Sequence, residues 1–219
     1  MNDAAALPLA DTSDMIGLHR VFREALAAAP SYVGGVADGD DARADLVGSY
    51  YANVLALLHG HHEAEDLFMT PRLLERAPDH AETISTIAAM HEEVLGGMES
   101  ADAAIEAWRA APSDETRDRA VAALATLADG LLQHLDIEEE KVLPIAAQHI
   151  NVAEWGEIPS YGMRTFSGDK LWLILGLVQE QMTPEQRAHM EANMPPPLLE
   201  SFTATGRGMF TEYVGALRA

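Results

Sequence analysis

Residues 57–73, LLHGHHEAEDLFMTPRL, combine a helical repeat of apolar residues with side chains that bind metal ions. Leu58 lies on the apolar face of the predicted helix. His61, His62 and Glu65 continue that face, because residues three, four and seven positions apart share one side of an α-helix. The stretch therefore predicts a long helix that carries imidazole and carboxylate groups into the core of a protein.

Three further segments have the same helical periodicity, and Pro, Gly and Asp clusters separate them. The predicted helices cover about residues 14–29, 41–76, 78–110, and 114–149 after the Ala-Pro-Ser turn. Strand-favouring β-branched and aromatic residues are sparse, and Ala and Leu are abundant. Short connections between long amphipathic helices favour antiparallel neighbours. The sequence predicts an all-α protein built on an up-and-down four-helix bundle.

Each of the other three helices also has polar side chains inside its apolar stripe. His19 lies on the first helix, His91 on the third, and His134 and Glu138 on the fourth, one turn apart. Burying an isolated carboxylate or imidazolium costs on the order of several kcal/mol even after relaxation, and these seven groups have too few donors to satisfy one another. Cations would remove this conflict by giving every lone pair a partner. The predicted metal ligands are His19, His61, His62, Glu65, His91, His134 and Glu138.

The remaining histidines do not follow the apolar stripes. His59 falls about 160° around the helix from His61, so it is predicted to face outward. His80 lies at a helix start, and His149 and His189 are far in the sequence from the predicted ligands. We expect none of these four to bind the metal.

Composition limits the classes of partner. The formal net charge of −21 repels phosphate backbones and anionic lipids, so we expect no nucleic-acid and no membrane partner. The chain has no cysteine, which excludes disulfides and thiolate metal sites. The first residues are acidic where a signal peptide is basic, and no apolar run reaches the roughly 18–20 residues of a membrane span. A cytoplasmic location is the expectation.

Residues 150–219 differ in character from residues 12–149. GDKLWLILGLVQEQM predicts a buried helix, Thr183-Pro184-Glu185-Gln186 has the residues of a helix N-terminus, and the chain ends in another helical segment. We interpret residues 150–219 as a helical extension packed on a 12–149 bundle, with a small independent domain as the alternative. The extension could contact a protein partner.

These motifs resemble the hemerythrin-like, HHE cation-binding family. The resemblance covers about residues 12–149 and is carried by four segments in order: LHRVFRE, LLHGHHEAEDLFMTPRL, MHEEV and LLQHLDIEEEKVLPIA. It implies a dinuclear iron centre in which Glu65 and Glu138 bridge two ions together with an oxo or hydroxo group. The ligand types alone suit iron, zinc, copper or nickel, so iron comes from the resemblance.

The same resemblance assigns the remaining ligands. One iron would be six-coordinate and bound by His62, His91 and His134. The other would be bound by His19 and His61 and would keep one position open for dioxygen, peroxide or nitric oxide. Five apolar residues are the candidates to wall that open position: Phe22, Leu55, Leu58, Val94 and Leu95.

Two departures from the oxygen-carrying hemerythrins argue against a pure carrier role. The residue one turn after His91 is Leu95 rather than a second histidine, and the carboxylate of the fourth helix is Glu138 rather than a later Asp. Two alternatives to a small-molecule handler therefore stay open. One is a sensory or interaction module that reports metal or dioxygen occupancy. The other is a di-iron oxidase or oxygenase with an organic substrate. Trp155, Tyr161, Phe166 and Trp172 are the candidates to line its pocket, and a loop packed by its own aromatic residues is the alternative explanation of these four.

Overall fold

The computed structural model describes residues 7–219. Residues 1–6, which belong to the acidic segment that argued against a signal peptide, lie outside the described residues. Within the described part the chain consists of helices and their connections, with one isolated antiparallel bridge between Leu9 and Asn151. The predicted all-α fold class is confirmed.

Four long helical segments form the bundle. In chain order, their parts are α1 (Ser13–Tyr32), α2 (Asp41–Ala64), a π-helical turn (Glu65–Met69), α3 (Thr70–Arg76), a 3₁₀ turn (Pro78–His80), α4 (Ala81–Ala110), α5 (Asp114–Ile137), a second π-helical turn (Glu138–Val142) and α6 (Leu143–His149). Helix α1 packs on α2 and α5, and α4 packs on the other side of the same two helices. Helices that follow one another in the chain are therefore neighbours, as an up-and-down bundle requires.

Helix α1 continues past Pro30, where the sequence predicted its end. The helix ends at Tyr32, and the Val33 N–H bonds the Ala29 carbonyl at 2.9 Å. Proline has a helical φ angle and lacks only its own N–H donor. In the last turn of a helix this loss is confined to one hydrogen bond, so the chain stays helical for two more residues.

A proline widens each of the two helices that carry a glutamate ligand. Before Pro71, the Thr70 N–H bonds the Glu65 carbonyl five residues earlier, and before Pro144, the Leu143 N–H bonds the Glu138 carbonyl in the same way. The proline ring clashes with the carbonyl four residues earlier in a regular α-helix. A single π-helical turn relieves that clash and lets the helix continue. Each wide turn begins at a predicted glutamate ligand, so the insertion lies at the site.

Two apolar clusters fill the bundle, one on either side of the predicted ligands. On each helix the ligands are flanked by one residue of the larger cluster and one of the smaller cluster: Phe22 and Met15 on the first, Leu58 and Met69 on the second, Val94 and Ile87 on the third, and Leu131 and Val142 on the fourth. The polar residues thus form one layer between two apolar layers.

The C-terminal segment is helical and packs on the bundle. Its elements are α7 (Val152–Trp155), α8 (Glu157–Thr165), α9 (Leu171–Glu180), α10 (Pro184–Asn193), α11 (Pro196–Ser201), a π-helical turn (Phe202–Gly206) and α12 (Arg207–Arg218). Helix α8 lies on α2, and α9 lies on α1, α2 and α12. Leu173, Ile174 and Leu177 of α9 belong to the larger apolar cluster of the bundle. The division of the chain into two units at residue 150 stays a prediction.

In the described part of the chain, one helical stretch, Asp114–His149, is long and apolar enough to cross a membrane, with a mean hydropathy of 1.2. The core helix of a soluble bundle passes the same test. Leu124, Leu127 and Leu131 of this stretch are buried inside the larger apolar cluster. Its apolar face therefore already has a partner within the protein.

Candidate metal centre

The structure brings all seven predicted ligands to one level of the bundle. Two sets of four residues have potential ligand atoms within 4.8 Å of one another: His62, Glu65, His91 and His134 in one set, and His19, His61, Glu65 and Glu138 in the other. We call these the three-histidine group and the two-histidine group. Glu65 belongs to both, so the two groups form one continuous site.

The topology of the bundle explains why distant parts of the chain meet. His19 lies near the start of α1, and His91 lies in the first half of α4. His61 and His62 lie near the end of α2, and His134 near the end of α5. Because successive helices run in opposite directions, the starts of α1 and α4 lie beside the ends of α2 and α5.

The site is almost entirely buried and its polar atoms lack partners. His19, Glu65, His134 and Glu138 are fully buried, and the other three ligands are 4–5% exposed. In the part of the chain that the structure describes, twelve buried side-chain nitrogen and oxygen atoms have no hydrogen-bond partner, and all twelve belong to these seven residues. Native proteins rarely leave such atoms unpaired. Metal ions accept the lone pairs of imidazoles and carboxylates, so the residues suit a cation.

Each buried glutamate reaches toward two histidines. The Glu65 Oε1 atom lies 3.4 Å from His61 Nδ1, and its Oε2 atom lies 3.5 Å from His91 Nε2. The two oxygens of Glu65 therefore face different ligand groups, which is the arrangement that a bridging carboxylate needs. Glu138 differs, since a single oxygen faces both groups: its Oε2 atom lies 3.4 Å from His19 Nε2 and 3.5 Å from His134 Nε2.

The electrostatics of the protein alone are unfavourable for charged ligands. Burial, with a further contribution from the Glu138 carboxylate, raises the pKa of Glu65 well above 4.5, and burial also raises the pKa of Glu138. Burial lowers the pKa of His61 and His62 well below 6.5 and that of His134 to about 3. Without added positive charge, burial disfavours the anionic form of both glutamates. A bound cation would reverse that preference, since it stabilises the carboxylate anion.

Two outer carboxylates orient histidines of the site, and sequence reasoning did not single them out from the neighbouring acids. Asp66 Oδ1 lies 2.8 Å from His91 Nδ1, and Glu139 Oε1 lies 2.9 Å from His19 Nδ1. When a carboxylate accepts a hydrogen bond from Nδ1–H, the lone pair of the imidazole lies on Nε2 and is free to bind a metal ion. Both Nε2 atoms are among the unpartnered atoms of the site.

The signal for these outer carboxylates was present in the sequence. Asp66 directly follows Glu65, and Glu139 directly follows Glu138. Consecutive residues of a helix point about 100° apart, so the second acid of each pair faces a neighbouring helix while the first faces the centre. A pattern of two adjacent acids on an apolar face therefore indicates a ligand followed by its support.

Four of the five candidate wall residues are buried in the larger apolar cluster. Phe22, Leu55 and Leu58 are 1% exposed and Val94 is 4% exposed. The Phe22 ring centroid lies 5.4 Å from that of His61. Leu95 is 41% exposed, so its assignment as a wall residue was wrong. The buried residues of α4 recur alternately three and four positions apart, and this narrow seam takes Val94 and leaves Leu95 on its outer flank.

The four aromatic residues predicted to line an organic-substrate pocket do not form one. Trp155 and Tyr161 pack in the smaller apolar cluster, whereas Phe166 and Trp172 pack against the larger one. The Trp155 indole N–H donates to Asp14 at 3.0 Å. These side chains attach the extension to two different parts of the bundle, so the prediction of a shared pocket was wrong.

The four histidines left out of the site lie outside both ligand groups. His59 faces away from the ligands and lies 3.1 Å from Asp102, whose hydrogen bond raises the pKa of His59. It lines a surface cavity of about 270 Å³ together with Asn53 and the loop at Gly168. Helix geometry therefore correctly predicted that His59 lies outside the site.

The helical bundle and its buried layer of histidines and glutamates are the features of a cation-binding bundle protein. Residues 11–146 match the family described as Hemerythrin, Hemerythrin HHE cation binding domain. This match spans more than half of the chain, and the chain belongs to that family. The predicted resemblance is confirmed. No curated protein and no solved structure matches the chain.

Proposed function

We propose that this protein holds two iron ions and uses them to bind dioxygen or to react with peroxide or nitric oxide in the cytoplasm. The observation that carries the proposal is the pair of buried ligand groups joined through Glu65. Members of the family bind cations, typically iron. Two groups that share one carboxylate provide places for two ions rather than one.

Each residue of the site has a proposed role. His62, His91 and His134 would hold one ion, and His19 and His61 would hold the other. Glu65 and Glu138 would bridge the two, together with an oxo or hydroxo group. With both glutamates as bridges, His19 and His61 would be the only ligands that belong to the second ion alone, against three histidines for the first, which favours an open coordination position on that side. Asp66 and Glu139 would keep the His91 and His19 rings in place.

The chemistry that iron would supply is a change between ferrous and ferric states, which allows reaction with dioxygen, peroxide or nitric oxide. The protein contributes the surroundings. Phe22 packs beside His61, and Leu55, Leu58 and Val94 are buried in the apolar layer next to the ligands. This layer excludes bulk water and admits small uncharged molecules more readily than ions.

Rapid mixing of the reduced, iron-loaded protein with dioxygen tests the proposal, followed by oxygen evolution from added hydrogen peroxide. We expect a spectral change on mixing or turnover of peroxide, and loss of both in Glu138→Gln. A Leu95→Ala variant is the matched control, because Leu95 is exposed and outside the site. Iron-loaded protein that reacts with neither molecule would contradict the proposed activity.

One observation supports sensing as a second candidate function. Helix α8 of the extension packs on the π-helical turn that begins with Glu65. Arg72 links the two, since it donates to the Phe68 carbonyl of the turn at 2.7 Å and to Glu157 of α8 at 2.7 Å. A change of the turn on metal binding would therefore reach the extension and a protein partner docked there. Unchanged hydrogen exchange of α8 between metal-free and metal-loaded protein would count against this function.

A further inference from the structure

The two ligand groups differ at their outer edges. The His91 side chain, at the edge of the three-histidine group, is 6% exposed to solvent. The side chain of His19, at the edge of the two-histidine group, is fully buried, as are those of His134 and Glu138. His91 is thus a point at which the buried site meets water.

The support behind His91 is a single exposed carboxylate. Asp66 Oδ1 lies 2.8 Å from His91 Nδ1, and the Asp66 side chain is 48% exposed. Asp66 lies in the π-helical turn that begins with Glu65. An exposed carboxylate can rotate into solvent at little cost, because water replaces the hydrogen bond that it leaves. The His91 ring is therefore held by a contact that is easily released.

The carboxylate that supports His19 is itself held in place by an arginine. Glu139 Oε1 lies 2.9 Å from His19 Nδ1, and the Glu139 side chain is only 26% exposed. Arg23 Nη2 lies 3.1 Å from that same Glu139 oxygen and 2.9 Å from Asp136 Oδ1. A guanidinium held by two carboxylates fixes Glu139, and Glu139 in turn fixes the imidazole. Release of His19 would have to break this network.

We propose that the two ions exchange with solvent in a fixed order. The ion of the three-histidine group leaves first and enters last, through the edge formed by Asp66 and His91. The ion of the two-histidine group is retained behind His19, Glu139 and Arg23. This inference rests on the proposed dinuclear site and adds which half of it is open to exchange. The entering species is a divalent cation, which the Asp66 carboxylate attracts at the surface.

Chelator-driven loss of ferrous ion from the anaerobic holoprotein tests the order of release. The measurement mixes the full-length, iron-loaded protein with excess colorimetric ferrous chelator and follows the chelate over time. We expect two phases of equal amplitude. Anomalous scattering from crystals of the protein recovered after the first phase should show the remaining ion beside His19.

Matched variants assign each phase to one edge. Asp66→Asn keeps the size of the side chain and an acceptor oxygen but removes the charge behind His91. We expect it to accelerate the fast phase about 10-fold, the lower end of the effect of outer partners on metal binding, and to leave the slow phase unchanged. Glu139→Gln should accelerate the slow phase alone. Glu92→Gln, which removes an exposed charge next to His91 in sequence, should alter neither phase.

The outcomes separate this inference from the proposed function. Protein that never holds two ions refutes the dinuclear site itself. Protein that holds two ions and loses them in one phase refutes only the order of exchange. A remaining ion beside His91, or acceleration of the slow phase by Asp66→Asn, likewise overturns it. Thermal unfolding of the metal-free variants, equal to that of the unchanged chain, shows that the effects on release do not come from misfolding.

Discussion

The larger apolar cluster and the ligand layer lie in the same bundle, yet opposite physics stabilises them. The apolar cluster includes Trp108, Leu124 and Ile105, all at most 1% exposed, and burial of hydrocarbon alone favours it. The ligand layer is buried to the same degree but has twelve unpartnered polar atoms. The fold tolerates the ligand layer because the apolar clusters on either side stabilise the bundle. Cations are needed to make burial of the ligand layer itself favourable.

The largest expected effect is on the ligand layer, through Glu65→Gln. The amide keeps the shape of the side chain but cannot offer two charged oxygens to the two ligand groups. Because Glu65 is shared, the variant should lose both ions, measured as metal per chain by mass spectrometry. Glu93→Gln is the control on an exposed acid of α4 and should keep both. Two ions retained in Glu65→Gln would contradict the bridging role.

The second prediction concerns the apolar cluster. Leu124→Ala should lower the free energy of unfolding by about 2–5 kcal/mol, the usual cost of a cavity at a fully buried leucine. The loss should be the same with and without metal, because Leu124 contributes only packing. Denaturant unfolding measures it. Leu95→Ala, at an exposed position, should cost at most roughly 0.5 kcal/mol. A large fall in metal content in Leu124→Ala would show that the two layers are not independent.

The third prediction is the pH dependence of the metal-free protein. His61, His62 and His134 have lowered pKa values, so below pH 6.5 the unfolded chain binds protons that the folded chain does not. Stability therefore falls as pH decreases from 6.5.

The two buried glutamates change the pH dependence of stability in the opposite direction. Glu65 and Glu138 have raised pKa values, so above pH 4.5 the folded chain holds protons that the unfolded chain loses. The glutamates oppose the histidines as the pH rises above 4.5, because the folded chain loses on unfolding the protons that it holds. In metal-free protein the midpoint of thermal unfolding should therefore fall as the pH decreases from 6.5, but by less than the three histidines alone would give. Metal-loaded protein, whose glutamates are held as anions, should show the steeper acid decline, and an equal decline in both forms would contradict the account.

The smallest expected effect is at the contact between the extension and the ligand layer. Arg72→Met removes the ion pair with Glu157 and the bond to the Phe68 carbonyl. Because partly exposed ion pairs contribute little, stability should fall by at most about 1 kcal/mol. Amide hydrogen exchange of the turn Glu65–Met69 should nevertheless become faster. Arg119→Met, which removes an exposed ion pair within α5, is the control and should leave that turn unchanged.

The sequence predicted the ligand layer well because one rule of geometry decides it. Side chains that share a face of a helix are buried together, and helices joined by short connections run antiparallel. Those two rules place His19, His91 and His134 on the inward faces of neighbouring helices, and the structure adds that they lie at the level of His61. The helix boundaries of the bundle followed from Pro and Gly positions, apart from Pro30 within α1.

Local distortion of helices and contacts between helices were beyond sequence reasoning. The π-helical turns at Glu65 and Glu138 arise from Pro71 and Pro144, and both prolines lie inside segments that the sequence predicted as single helices. The exposure of Leu95 depends on how narrow the seam of α4 is. The four aromatic residues of the extension were grouped by their residue type, whereas packing divides them between two clusters.

The most direct test of the central claim is an anomalous-scattering crystal structure of the full chain as isolated, together with its iron content by mass spectrometry. The account predicts two iron ions per chain, one within the three-histidine group and one within the two-histidine group, with Glu65 contacting both. A structure in which the seven side chains bond only to water or to one another, in protein that has been offered iron, would contradict it.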